Sequence, residues 1–454
     1  MTNLNDAYIN GLLQAAANIP DNDIENILAK AANFQGLTHQ EAAALLMTQN
    51  EAYINHTFEI AGKIKKHIYG DRIVIFAPLY VSDHCINRCT YCGFRHDSGI
   101  ARRKLTQDEI RAEVAVLEKM GHKRLAIEAG EDPSNCPLDY ILECIDTIYN
   151  MKFENGEIRR VNINIAASSV KDYRRLKDAH IGTYILFQET YHRPTYEKVH
   201  PTGPKSDYDY HLTAFDRAME AGIDDVGAGA LFGLYDYKYE TLALMLHNEH
   251  LENHFGVGFH TISVPRIRST DGVSKYPHAV SDKDFLRLVA ILRMAVPFTG
   301  MIVSSRETPE MRRQLIQIGI SQMSAGSRTA VGGYSGLANA AQFSIADHRD
   351  AQEIIYWLME EGTLPSFCTA CYRQGRSGDR FMTLAKSGDI KNVCLPNGLL
   401  TLKEYALDYG DDRFSVLADA LISKKLADID SENTRHLIES KLIDLSHGKR
   451  DLFI

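Results

Sequence analysis

The chain has 454 residues, 44% hydrophobic and 24% charged, with a formal net charge of −9; these are the proportions of soluble globular domains, and the length suggests two or three of them. The acidic balance argues against nucleic acid or an anionic membrane surface as the main partner, and no apolar run reaches the roughly 20 residues of a membrane span. No basic residue precedes Lys30, so the charged start of a signal or transit peptide is missing, a cytoplasmic location is expected, and eight cysteines in a reducing compartment point to metal or catalysis rather than disulfides.

Residues 1–70 read as an N-terminal helical extension, in which Thr38 and Glu41 have capping-box spacing. From residue 72 the hydrophobic period changes. β-rich runs at 72–80, 123–129, 161–167, 183–189, 225–231, 259–264, 300–305 and 322–326 alternate with helical patterns, one of them opened by a second capping box at Thr106 and Glu109. Eight strands with intervening helices over 71–340 predict an α/β fold, a closed parallel (β/α)8 barrel of TIM type. An open doubly wound sheet is the alternative, and the lack of a G-x-G-x-x-G after the first run disfavours its dinucleotide-binding form. Residues 341–454 read as a mainly helical C-terminal domain.

Two cysteine triplets carry the chemistry. Cys85, Cys89 and Cys92 are spaced C-x3-C-x2-C just past the first strand, at the end of a barrel where active sites are built. Three thiolates hold three irons of a 4Fe–4S cluster and leave the fourth open to a substrate or cofactor. The alternative is a structural zinc, which wants four ligands and would need His84 or His96 as the fourth. Cys368, Cys371 and Cys394, spaced C-x2-C-x22-C, repeat the pattern in the tail, again as a zinc site or a second cluster with a vacant iron. Cys136 and Cys144 stand alone and read as structural.

With Tyr91 as the aromatic before Cys92, the first triplet resembles the motif of the radical S-adenosylmethionine (SAM) superfamily. That resemblance implies that the open iron chelates SAM, which one electron cleaves to a 5′-deoxyadenosyl radical. Ala129-Gly130-Glu131 resembles the superfamily's Gly-Gly-Glu segment for the SAM amino group, with alanine in the first place. Glu189 resembles the acidic position that meets the ribose, where a carboxylate accepts two hydrogen bonds from a diol; a helix N-terminal charge is its bland alternative.

The segments FAPLYVSDHCINRCTYCGF, EAGEDP, ILFQETYHRPTY, GIDDVGAGALFGLYDYKYET and HTISVPR are similar to the tyrosine-lyase group of that superfamily. The tail triplet resembles the members that mature FeFe-hydrogenase. It is what separates them from their relative, the 2-iminoacetate synthase of thiamine biosynthesis. The resemblance implies cleavage of the Cα–Cβ bond of L-tyrosine to p-cresol and dehydroglycine. Dehydroglycine would become CO and cyanide near a tail 4Fe–4S cluster that carries an extra, labile iron. It also implies a reductant such as ferredoxin or flavodoxin, and other hydrogenase-maturation proteins as partners. His260 resembles the ligand of the labile iron, against the ordinary expectation of a packed strand histidine. Arg306 is the first choice for the tyrosine carboxylate, since a guanidinium grips a carboxylate through two parallel bonds; an ion pair with Glu307 or Glu310 is the alternative. Arg328 is the second choice, and Ser324 and Ser327 are candidates for the same carboxylate. The rival functions are 2-iminoacetate synthase itself and a non-catalytic iron–sulfur scaffold, which would need no SAM-contact segments.

Overall fold

The computed structural model describes residues 4–267, 276–338 and 340–454. Four helices, Asp6–Ala16, Asp21–Ala31, His39–Met47 and Glu51–Tyr69, precede the sheet. The third starts where the capping box predicts: Thr38 Oγ1 accepts from the Glu41 amide while the Glu41 carboxylate accepts from the Thr38 amide. Such a cap is worth about 1 kcal/mol. The same reciprocal pair at Thr106 and Glu109 opens helix Gln107–Lys119.

Eight strands follow: β1 (Arg72–Ser82), β2 (Arg124–Ala129), β3 (Arg160–Asn164), β4 (Tyr184–Glu189), β5 (Val226–Ala230), β6 (Thr261–Ser263), β7 (Gly300–Val303) and β8 (Gln322–Ser324). Each pairs in parallel with the next, and β8 returns to pair with β1, so the sheet is a closed barrel and not an open one. Every predicted run overlaps one of these strands. Helices between them cover the outside, as in Asp282–Ala295, which packs on Glu51–Tyr69 of the N-terminal extension.

The tail is mainly helical, with Ala351–Glu360, Gly378–Ser387, Ile390–Tyr409, Asp412–Ala427 and Glu432–Ser446. It also holds a ninth strand, β9 (Leu364–Ser366), that the periodicity does not announce. β9 pairs in parallel with the start of β1, Arg72 opposite Leu364 and Val74 opposite Ser366. Three residues centred on Pro365 carry no alternation to detect, and proline is tolerated because β9 is an edge strand. Its consequence is positional, for it sets Cys368 two residues beyond the strand, beside the N-terminal end of β1.

Buried ion pairs tie barrel to tail, Arg159 with Glu404 and Arg312 with Asp347. Arg312, on helix Pro309–Ile318, and Asp347 are both fully buried and paired. Arg312 also donates to the carbonyl of Ser324 at the end of β8, and Asp347 accepts from Arg349 at 2.7 Å. Asp347→Ala leaves a buried guanidinium without its counter-charge. It should lower stability by about 3–5 kcal/mol, read as an earlier urea midpoint by far-UV circular dichroism; an unchanged midpoint would show that this pair holds nothing together.

Candidate active site

β1 ends at Ser82 and delivers the first cysteine loop to the C-terminal mouth of the barrel. Cys85, Cys89 and Cys92 line a cavity there with about 1550 Å³ of atom-free space, mouth included. Tyr91, Ala129, Gly130, Glu131, Glu189, Arg306, Ser324 and Ser327 line the same cavity. Residues from β1, β2, β4, β7 and β8 thus meet at one place. Arg328 does not join them. It is exposed, and its guanidinium reaches only the carbonyl of Ser327 at 3.2 Å; past the end of β8 the chain has already turned this side chain out of the barrel.

The three thiols suit an iron–sulfur cluster. None is in a disulfide, and burial pushes Cys89 up to about 12 and raises Cys92 as well. Enclosed thiols of this kind carry their charge only when a cation is there to balance it. The zinc alternative needs ligands around one ion. Of the two histidines that could complete such a set, His96 turns its Nδ1 to the Cys85 carbonyl at 3.4 Å.

Three local devices hold the cavity wall in place. Asn87, inside the cysteine loop and 2% exposed, donates to Glu131 Oε2 at 2.6 Å and accepts the Lys205 amide at 2.9 Å. It therefore ties the loop to the end of β2 and to the segment after β4. Gly130 packs directly under that loop, where a Cβ would sit 2.4 Å from the His84 carbonyl oxygen; alanine at 129 leaves this essential glycine in place. Glu189 has φ of 67°, a left-handed backbone that costs a residue with a side chain roughly 1–3 kcal/mol. The β4–β5 register slips between Phe187 and Glu189. The buried carboxylate of Glu240 secures the turn by accepting from Thr190 Oγ1 and, at 2.8 Å, from the Tyr191 amide.

The side chain of Glu189 pairs with Lys205 Nζ at 2.8 Å. The next helix begins only at Arg193, so a capping role does not account for Glu189. Burial opposes the charge of Lys205, but the Glu189 carboxylate and the nearby Cys89 outweigh it and hold the lysine above its usual range. Tyr91 is anchored by its hydroxyl 2.7 Å from His200 Nε2. Arg306 lays its guanidinium 3.4 Å from the centre of the Phe343 ring. Its sequence neighbours are engaged elsewhere, Glu307 with Arg266 at 2.7 and 2.9 Å and Glu310 with Arg313 at 3.2 Å. Asn87, Lys205 and Glu128, all in the cavity wall, escape sequence reasoning, since each looks like an ordinary polar residue until the fold encloses it.

The second triplet lies at the other end of the barrel. Cys368, Cys371 and Cys394 line a second, smaller cavity together with Arg72, Arg124, His260 and Tyr372. Arg72 opens β1, Arg124 opens β2 and His260 directly precedes β6, so this is the N-terminal face. Along β2 the four steps from Arg124 to Glu128 span about 13 Å at ~3.3 Å per residue. His260 Nε2 lies 3.3 Å from Tyr372 Oη and 3.9 Å from Asp225 Oδ2. Burial lowers its pKa, which favours the neutral imidazole that binds a metal. A hydrogen bond with Cys394 holds the Cys371 thiol below its usual range and raises Cys394 in turn. Among the described residues the buried Nε atoms of Arg72 and Arg124 find no hydrogen-bond partner, as expected beside an anionic thiolate-bound group.

Among the described residues no helix is long and apolar enough to cross a membrane. A Radical SAM superfamily model matches residues 79–248, and a Biotin and Thiamin Synthesis associated domain model matches residues 263–364. The chain is 28% identical over 338 residues to the 2-iminoacetate synthase of Escherichia coli (strain K12), covering 74% of this chain and 88% of that protein. HydG from Carboxydothermus hydrogenoformans, an FeFe-hydrogenase maturase, is 37% identical with a TM-score of 0.82, covering 96% of this chain and 97% of that one. A further crystal structure of HydG, described as a maturase of FeFe-hydrogenase, is 56% identical with a TM-score of 0.98 over 100% of both chains. With identity at that level from end to end on the same closed barrel, the chain belongs to the HydG family of the radical SAM superfamily.

Proposed function

We propose that this protein cleaves the Cα–Cβ bond of L-tyrosine to p-cresol and dehydroglycine, and turns dehydroglycine into CO and cyanide for the active site of FeFe-hydrogenase. The observation that carries this reading is the pair of three-cysteine sets at opposite ends of one closed barrel, each facing its own cavity. The HydG relatives are maturases by name, and the E. coli relative is named for its 2-iminoacetate product, another name for dehydroglycine.

Cys85, Cys89 and Cys92 would hold the first 4Fe–4S cluster, and Tyr91, Ala129, Gly130, Glu131 and Glu189 would receive SAM beside it. When bound, that pair supplies a carbon-centred radical able to remove a hydrogen atom from the substrate. The chain's own part is to bind, orient and shield. Arg306, its plane set by Phe343, grips the tyrosine carboxylate through two parallel hydrogen bonds, and Ser324 and Ser327 flank it. The closed wall keeps water from a reactive fragment.

At the lower cavity Cys368, Cys371 and Cys394 would hold a second cluster. His260 would hold the labile iron, which is cargo that leaves with the diatomics. A neutral imidazole suits ferrous iron without adding charge. The 2-iminoacetate synthase alternative leaves the lower triplet without a task, and a bare scaffold leaves the SAM-side cavity without one. A ferredoxin or flavodoxin would deliver electrons, and other maturation proteins would receive the product.

Reconstituted protein given tyrosine, SAM and a reductant should release both p-cresol and CO. Changing Cys368 and Cys371 to serine should spare p-cresol and abolish CO; equal loss of both would make the tail a structural metal site. Arg306→Lys keeps the charge and loses the planar fork. Its KM for tyrosine should rise about tenfold or more, a cost of ~1.4 kcal/mol, while uncoupled SAM cleavage continues, and an unchanged KM would remove Arg306 from the substrate site. His260→Ala should keep both four-iron clusters and p-cresol formation but lose one iron per chain and the infrared bands of bound CO and cyanide. Full iron content with normal bands would return His260 to the role of a core histidine.

A further inference from the structure

The upper cavity contains an acid that the roles above leave unused. Glu128, on β2, stands in register between Tyr80 on β1 and Asn164 on β3. The barrel encloses it, and its remaining open surface faces the cavity. Asn164 Nδ2 donates to Glu128 Oε2 at 2.7 Å. Glu131 is engaged by Asn87 and Glu189 by Lys205. Glu128 and Arg306 are therefore a carboxyl group and a cation on the walls of one cavity, acting on each other through space, with signs that complement the two ends of an amino-acid zwitterion.

The product defines what the acid can do. Dehydroglycine is an imine, and its C=N bond needs a nitrogen lone pair directed at Cα. Tyrosine arrives as an ammonium, which has no lone pair. One proton must leave the nitrogen before the Cα–Cβ bond can break toward an imine. Resting on the tyrosine-cleavage reading, we propose that Glu128 is the catalytic base: its carboxylate binds the substrate ammonium and takes one proton from it, while Arg306 holds the carboxylate of the same substrate and Asn164 orients the acid. One N–H bond breaks heterolytically, the pair stays on nitrogen, and the proton forms an O–H bond on Glu128. A charged pair becomes a neutral amine and a neutral carboxyl, and no electron changes hands.

The surroundings suit that exchange. Burial pushes Glu128 up to about 8, against the pull of Asn164 and Arg306, which brings it toward the range of an amino-acid ammonium. A base works best when its pKa lies near that of the group it serves and near the working pH. The other titratable groups on the cavity wall are Tyr80 and Tyr91, whose phenols burial raises well above their usual range, His211, which burial lowers well below its own, the Lys205–Glu189 pair, Glu131 and the three thiols. The plain alternative is that Glu128 only closes the top of β2 through Asn164.

The test uses reconstituted holoenzyme with SAM, a reductant and Glu128→Gln, which keeps the shape and can still bond Asn164. Production of 5′-deoxyadenosine should continue, and p-cresol should slow by about a hundredfold or more near neutral pH. In the unaltered protein the p-cresol rate should rise through an apparent pKa near 8 and level off. In the variant it should keep rising at more alkaline pH, where the free amine forms without help. Tyrosine should bind the variant about tenfold more weakly, whereas 3-(4-hydroxyphenyl)propanoate, which has no amine, should bind both alike. Glu128→Asp should retain part of the p-cresol rate. A Gln variant with the normal rate, pH profile and tyrosine affinity overturns the proposal. So does equal loss of 5′-deoxyadenosine and p-cresol in both variants, which is the mark of a structural residue. If the unaltered protein makes no p-cresol, the tyrosine-cleavage reading fails and the base falls with it.

Discussion

The pairing along β1 is the constraint on which the rest depends. This strand has 11 residues, the most of any in the barrel, and three partners. Arg72 to Val74 pair with β9, Val74 to Phe76 with β8, and Ala77 onward with β2. At its C-terminal end it releases the loop of Cys85, Cys89 and Cys92. At its N-terminal end, through β9, it places Cys368. A strand of this length extends about 36 Å at ~3.3 Å per residue, so one hydrogen-bonded ladder holds the two triplets on opposite faces and prevents either from drifting toward the other. Closure between β8 and β1 turns the space between them into an enclosed interior.

That interior is managed by pairing charges before they meet the substrate. Lys205 with Glu189, Arg266 with Glu307, and Arg312 with Asp347 are each paired inside the protein. A buried ion left alone costs several kcal/mol, so these pairs remove charges that would otherwise compete for a ligand. Arg306, stacked on Phe343, and Glu128, bonded to a neutral amide, keep their polar ends toward the cavity. The same economy governs the lower face, where Arg72 and Arg124 carry buried donors beside three thiols. The two cavities are therefore polarised differently. The upper offers a cation and an acid on separate walls, and the lower gathers cationic groups around sulfur.

The upper site holds one strained backbone position and one close approach of backbone to backbone. Glu189 takes a left-handed conformation at a register slip, and the turn is held by Glu240 on the helix after β5. Gly130 gives up its side chain so that the end of β2 can touch the cysteine loop. Both features bring backbone close to the cavity, and both are fastened by groups from other elements and not by their own neighbours.

What the sequence determined by itself was whatever local spacing encodes. The capping boxes at Thr38 and Thr106 depend on residues three apart. The strand runs depend on alternation within a few positions, and each triplet motif on thiols a short loop apart. Eight such runs alternating with helices pointed to a barrel and left an open sheet as the alternative, which only the pairing of β8 with β1 settles. What only the tertiary structure decided were matters of enclosure and of meeting across the chain. Arg306 and Arg328 are equivalent as letters, and only the course of the backbone after β7 and β8 turns one inward and the other out. β9 is three residues with no period of its own and exists because β1 offers it an edge. Lys205, Asn87 and Glu128 look like solvated residues until the barrel closes around them. Tyr372 meets His260 across 112 positions. Contacts of that separation form only when the whole chain has folded, since the entropy of closing the intervening loop is repaid by the complete core and by no local segment.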